Sequence, residues 1–86
     1  MELHEYKAKI LEAIKELNNN PSFENLGTVE SMIDFYSDCY KDECGIRPRN
    51  DIGYFRSLYN EEAQGLFAKW DDLPWEDHLR YMGYGK

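Results

Sequence analysis

Hydrophobic residues near the start of the chain recur every three or four positions, with lysine and glutamate between them. This spacing places them on one face of a helix and predicts an amphipathic helix over residues 2–18. Asn18, Asn19, Asn20 and Pro21 predict its end, because asparagine favours caps and proline disfavours helical geometry in the preceding residue. The apolar face consists of Leu3, Tyr6, Ile10, Leu11, Ala13, Ile14 and Leu17.

A second helical pattern runs to about Cys44. We expect a linker through Gly27, in which Ser22 can start a single turn, and Thr28 is the predicted N-cap of the helix. Gly45 suits the left-handed residue that commonly ends a helix, and Pro48 prevents its continuation. The apolar stripe is Val29, Met32, Ile33, Tyr36, Cys39 and Tyr40.

The remainder of the chain also has helical spacing. Asn60 is a predicted N-cap, and one apolar face follows it with Ala63, Leu66, Phe67 and Trp70. Alternatively, Asp51 starts this helix earlier and adds Phe55, Leu58 and Tyr59 to the same face. Pro74 suits the first turn of a short last helix, and residues 83–86 are expected to fray.

These patterns predict an all-α fold. We find neither an internal repeat nor the alternating pattern of a strand, and 86 residues favour a single domain over residues 1–86. A three- or four-helix bundle is the simplest way to bury the apolar faces.

The chain is acidic, with a formal net charge of −7. This sign opposes non-specific binding to nucleic acid and to anionic membranes, and favours partners with basic surfaces. The longest apolar runs are far shorter than the roughly 20 residues that cross a bilayer, and the start is acidic where a signal peptide is basic. We therefore expect a cytoplasmic protein without membrane contact.

Four carboxylates fall at every fourth position of the second helix: Glu30, Asp34, Asp38 and Asp42. They form one slowly rotating stripe, although like charges at this spacing weaken a helix. One interpretation is a solvated face that Lys41, Arg47, Arg49 and basic residues of neighbouring helices partly neutralise, and another is a docking strip for a basic partner. DNA mimicry is the extreme case, but the stripe spans roughly 18 Å, over which a duplex presents on the order of ten charges.

Arg47 and Arg49 flank Pro48 in a loop that follows the second helix. Guanidinium groups bind carboxylates and phosphates through two hydrogen bonds, and a stiff loop lowers the ordering cost of binding. Three roles stay open for these arginines: internal pairing with Asp38, Asp42 or a carboxylate of the last helix, contact with phosphate, or contact with a protein partner.

Residues 36–49 read Tyr-Ser-Asp-Cys-Tyr-Lys-Asp-Glu-Cys-Gly-Ile-Arg-Pro-Arg. This segment, about a sixth of the chain, resembles a Ser-Asp-x-x-Lys-Asp-x-x-Gly-x-Arg-Pro-Arg pattern of small uncharacterised proteins of tailed bacteriophages. An aromatic residue often stands there where this chain has Ile46. The resemblance implies a phage protein made in the host cytoplasm, where binding and inhibiting host machinery is a common task. It also implies one local unit formed by Asp38, Lys41, Asp42, Gly45, Arg47, Pro48 and Arg49.

Catalytic and metal chemistry have little support. Cys39, Cys44, His4 and His78 lack the spacing of familiar zinc sites, and the two cysteines are expected to stay reduced. Phosphate-binding loops and nucleophile motifs do not occur in the sequence. We therefore predict neither an enzyme nor a cofactor.

The leading hypothesis is a phage-type accessory protein that binds, and inhibits or redirects, a host protein with a basic surface. A nucleic-acid module that uses Arg47, Pro48 and Arg49 is the first alternative, and a homo-oligomeric structural protein is the second. The predicted contact residues are Glu30, Asp34, Asp38, Lys41, Asp42, Arg47 and Arg49.

Overall fold

The computed structural model describes residues 2–83, and this part of the chain forms five α-helices. They are α1 (Leu3–Asn19), α2 (Phe23–Cys44), α3 (Arg49–Ser57), α4 (Glu61–Trp70) and α5 (Trp75–Tyr81). The all-α prediction is confirmed, whereas the predicted count of three or four helices is too low. The fraying predicted for residues 83–86 falls mainly on residues 84–86, which lie outside the described residues.

Helix α2 begins earlier than predicted. Ser22 is its N-cap, because the Ser22 hydroxyl oxygen accepts a hydrogen bond of 3.1 Å from the backbone N–H of Asn25. The prediction of Thr28 as the cap is wrong: Thr28 lies inside the helix, and its hydroxyl donates to the Glu24 carbonyl. The predicted end is confirmed, since Gly45 has a φ of 79° and its N–H donates to the carbonyl of Lys41.

The stretch after α2 forms two helices where the sequence predicted one. Asn60 caps α4 as predicted, but the stretch that contains Asp51 is a separate helix, α3. Asn18 holds the turn between them: its amide oxygen accepts from the Asn60 N–H at 2.9 Å, and its amide nitrogen donates to the Leu58 carbonyl. The C-terminal end of α1 thereby sets where α3 ends and α4 begins.

Helix α2 packs against α1, α4 and α5, while α1 also contacts α3 and α4. Their apolar faces meet in one core of Ile10, Ile14, Leu17, Leu26, Val29, Ile33, Tyr36, Phe55, Tyr59, Ala63 and Trp70. Among residues 2–83, none of the helices combines the length and the apolar character that crossing a membrane requires.

Helix α5 approaches the backbone of α2 at Gly27. A Cβ atom at this position would lie 2.7 Å from the Cβ of Tyr81 and closer still to the Tyr81 carbonyl. Glycine is therefore required here by the close approach of the two helices. The glycine that the sequence assigned to a linker is instead a buried contact point between α2 and α5.

Candidate functional site

The predicted carboxylate stripe divides into a buried residue and three exposed ones. Glu30 is only 4% exposed, whereas Asp34, Asp38 and Asp42 lie at the surface. The assignment of Glu30 to an accessible binding strip is therefore wrong. The stripe has the predicted fourfold spacing, but Arg56 of α3 and Tyr59, which follows α3, contact Glu30 and cover that end of the stripe.

Glu30 takes part in a buried polar network with Arg56 and Tyr59. A terminal Arg56 nitrogen donates to Glu30 Oε2 at 2.8 Å, and the Tyr59 hydroxyl donates to Oε1 at 3.0 Å. The Arg56 guanidinium also lies over the Phe67 ring, 4.8 Å from its centre. Both carboxylate oxygens thus have a hydrogen-bond partner inside the protein, as a buried carboxylate requires.

The titration of these groups reflects the same network. Burial raises the pKa of Tyr59, and the charge of Glu30 and its hydrogen bond raise it further. Burial alone would lower the pKa of Arg56, but the hydrogen bond to Glu30 and its charge outweigh that effect and raise the pKa. Arg56 therefore stays charged and Tyr59 neutral at neutral pH.

Arg47 returns to the surface of α2. One terminal nitrogen donates to Ser37 Oγ at 2.8 Å and to Asp38 Oδ1 at 3.0 Å. Of the three roles left open for the arginines, internal pairing is confirmed for Arg47. Ser37 is buried and Pro48 is buried beside this contact, so the loop between α2 and α3 is held against α2.

Lys41 and Arg49 are not held in this way. Both line an open cavity of about 650 Å³ with Tyr40 and Asp51, and within residues 2–83 neither forms an ion pair within 4.0 Å. Asp51 accepts a 2.7 Å hydrogen bond from the Tyr36 hydroxyl. Of the residues that the resemblance groups into one local unit, Asp38 and Arg47 are thus in contact, whereas Lys41 and Arg49 are exposed to solvent.

Asp34 lies along α2 between the two ion pairs. Its pKa is raised, first by partial burial and then by the negative charge of Glu30, while Arg56 acts in the opposite direction. Asp34 has no cation within 4.0 Å, and the same is true of exposed Asp42 in this part of the chain. The stripe thus retains two carboxylates without a close internal partner.

A cavity of about 430 Å³ adjoins Asp34 and was not predicted from the sequence. Glu30, Asp34, Arg56 and Asp71 are its charged wall residues, and the apolar walls include Phe67, Trp70 and Trp75. Trp75 is 71% exposed, the largest exposure among the large hydrophobic residues in the described part of the chain. Tryptophan side chains are mostly buried on average, so the exposure of Trp75 is unusual. It could not be predicted from the sequence because it depends on how α5 packs.

The residues considered for a metal site stay apart. Cys39 is half-buried, Cys44 is exposed, and both are free thiols. Within residues 2–83, the potential metal ligands that cluster are Glu2, His4 and Glu5, all exposed, and neither cysteine belongs to this group. Exposed acidic groups of this kind are common without a metal.

Comparison of the chain with models of protein families, with curated proteins and with solved structures found no match.

Proposed function

We propose that this chain is a small acidic accessory protein of the tailed-phage type that binds a host protein, and inhibits or redirects it, in the host cytoplasm. The observation that carries the proposal is the pair of exposed carboxylates on α2, Asp34 and Asp42, neither of which has a cation within 4.0 Å among residues 2–83. A net charge of −7 adds a field that speeds encounter with a basic surface.

Side-chain contacts hold the carboxylate stripe of α2 in place at both of its ends. The Glu30 network fixes one end of the stripe to α3 and to Tyr59 in the turn after α3, and the Arg47 contacts fix the other end to the loop before α3. A surface that is already ordered loses little conformational entropy when it binds. Asp34 and Asp42 therefore present their charges in a preformed arrangement.

The proposal is tested by affinity capture from a bacterial lysate with tagged protein, with and without nuclease and at two salt concentrations. The variant Asp34→Lys/Asp42→Lys reverses both open carboxylates. Glu12→Lys/Glu16→Lys is its matched control, because it changes the net charge equally on exposed positions of α1. We expect the parent chain to capture a host protein whether or not nuclease is present. The first variant should no longer capture this protein, and the control variant should still capture it.

Two results would contradict this function. Equal loss of the captured protein in both variants would show that net charge alone governs binding. Retention in both variants would show that α2 is not the contact surface. Circular dichroism of each variant establishes that the helical fold is intact.

A second candidate, contact with phosphate groups of a nucleic acid, is favoured by the open cations Lys41 and Arg49 and their shared cavity. In that case the captured material disappears after nuclease treatment. Binding would then fall steeply with salt and be lost in Lys41→Ala/Arg49→Ala. Arg47 contributes less to this candidate because its guanidinium is bound to Ser37 and Asp38.

A further inference from the structure

The cavity beside Asp34 is formed where α4 and α5 meet the middle of α2, with a volume of about 430 Å³. Cavities of roughly 300 Å³ and above accommodate specific ligands. The volume alone identifies no ligand, so its chemical preference must come from the charges and rings of its walls.

The charge that remains available in the cavity is negative. Arg56 is neutralised by Glu30, whose two oxygens are both occupied by Arg56 and Tyr59. Asp34 and Asp71 also line the cavity, and neither has a cation within 4.0 Å among residues 2–83. These two carboxylates favour a cationic guest and disfavour an anionic one.

The aromatic walls favour the same kind of guest. Trp75 is 71% exposed and meets His78 edge to face, with 6.3 Å between the ring centres. Tryptophan has the strongest cation–π interaction of the aromatic side chains. The guanidinium of Arg56 over Phe67 shows that this region already holds a cation against a ring.

We infer that the cavity is the receptor for an arginine side chain of the basic partner protein, with Asp34 and Asp71 as its charge partners and Trp75 as its stacking surface. The inference rests on the proposed function and names the partner group that enters. Arginine suits the site better than lysine, because a planar guanidinium both stacks on an aromatic ring and forms paired hydrogen bonds with carboxylates.

The test uses a defined probe, the peptide acetyl-Gly-Arg-Gly-amide, titrated into the isotope-labelled full chain and followed by NMR. We expect saturable shifts of the Trp75 indole N–H and of the Asp34 and Asp71 amides. The same peptide with lysine should bind several-fold more weakly, and the peptide with citrulline, which has no charge, should cause no saturable shift. Absence of saturable shifts with arginine, or equal binding of citrulline, would overturn the inference.

Neighbouring residues supply matched controls. Asp71→Asn and Trp75→Leu should each weaken binding of the arginine peptide by about fivefold, the order expected for one exposed charge or cation–π contact. Asp72→Asn removes the adjacent exposed carboxylate, which does not line the cavity, and should leave binding unchanged. Equal effects of Asp71→Asn and Asp72→Asn would show only a general attraction between charges and would overturn the site.

The inference and the proposed function fail in different ways. Capture of a host protein could require Asp34 and Asp42 but be unaffected by Asp71→Asn and Trp75→Leu. That result would contradict the arginine receptor and support the proposed function. Saturable peptide binding without capture of a host protein would support the arginine receptor and contradict the proposed function.

Discussion

The two halves of α2 carry the same kind of ion pair in opposite surroundings. In the first half Glu30 binds Arg56 at 2.8 Å, and in the second half Asp38 binds Arg47 at 3.0 Å. The Glu30 side chain is 6% exposed and that of Asp38 is 67% exposed. The two ion pairs have nearly equal distances, but breaking them should cost different free energies. Water screens the Asp38–Arg47 pair and is excluded from the Glu30 carboxylate.

The neighbours of each half account for the difference. Gly27 lets α5 approach the first half of α2 closely, and the Trp70 ring of α4 lies 6.5 Å from the Phe23 ring at the start of α2. Residues 41–47 at the other end are all exposed. The first half of α2 thus belongs to the core, while the second half faces solvent.

The largest loss of stability is expected when the buried Glu30–Arg56 pair is broken. Arg56→Met leaves Glu30 as an uncompensated buried charge and should lower the free energy of unfolding by about 3 kcal/mol. Arg47→Met, the matched change in the exposed pair, should cost at most about 1 kcal/mol. Urea denaturation of both variants measures the difference.

The double variant Glu30→Leu/Arg56→Met provides the control, since it removes both charges and should recover most of the lost stability. Equal losses in Arg56→Met and Arg47→Met would show that burial does not distinguish the two pairs.

A smaller loss of stability is expected when the contact between α5 and the first half of α2 is disturbed. Gly27→Ala forces a methyl group against the Tyr81 backbone and should cost about 2 kcal/mol. Gly65→Ala is its control, because a Cβ at Gly65 in α4 would meet no atom of residues 2–83 within 4 Å. That variant should gain up to about 1 kcal/mol from helix propensity. Thermal unfolding followed by circular dichroism tests the pair, and stabilisation by both alanines would refute the close contact between α2 and α5.

The smallest effect concerns Asp34, which lies between the two ion pairs. Its pKa is raised above the ordinary value of 3.8, so the folded state holds its proton more tightly than the unfolded state does. The resulting stabilisation is complete below that value and is lost as the pH rises through the folded-state pKa. At neutral pH the ionised carboxylate is therefore unfavourable.

Asp34→Asn should accordingly stabilise the protein at pH 7 by a few tenths of a kcal/mol, since the group is largely exposed. The gain over the parent chain should shrink as the pH falls toward 3.8. Urea denaturation at a series of pH values measures it, and a loss of stability at pH 7 would contradict the assignment. If the same variant also weakens partner capture, Asp34 trades stability for binding.

Local signals predicted several helix ends correctly. Asn60, Gly45 and the asparagines before Pro21 act through their own backbone or through a neighbour three or four residues away, so a short stretch of sequence suffices. The start of α2 was predicted wrongly because Ser22 and Thr28 are both suitable caps. The structure shows that the helix begins at the first of them, because the Ser22 hydroxyl accepts from the Asn25 N–H.

The helical class, the negative net charge and the spacing of the carboxylate stripe follow from the amino-acid order alone, because periodicity and charge can be counted along the chain. The burial of one carboxylate, by contrast, depends on the packed core, since Glu30 contacts Arg56 of α3 and Tyr59 of the following turn, both distant in sequence. Tertiary structure also decided that Asp71 and Trp75 share a cavity with Asp34. Burial and convergence depend on contacts between helices, and those contacts arise only when the whole core packs.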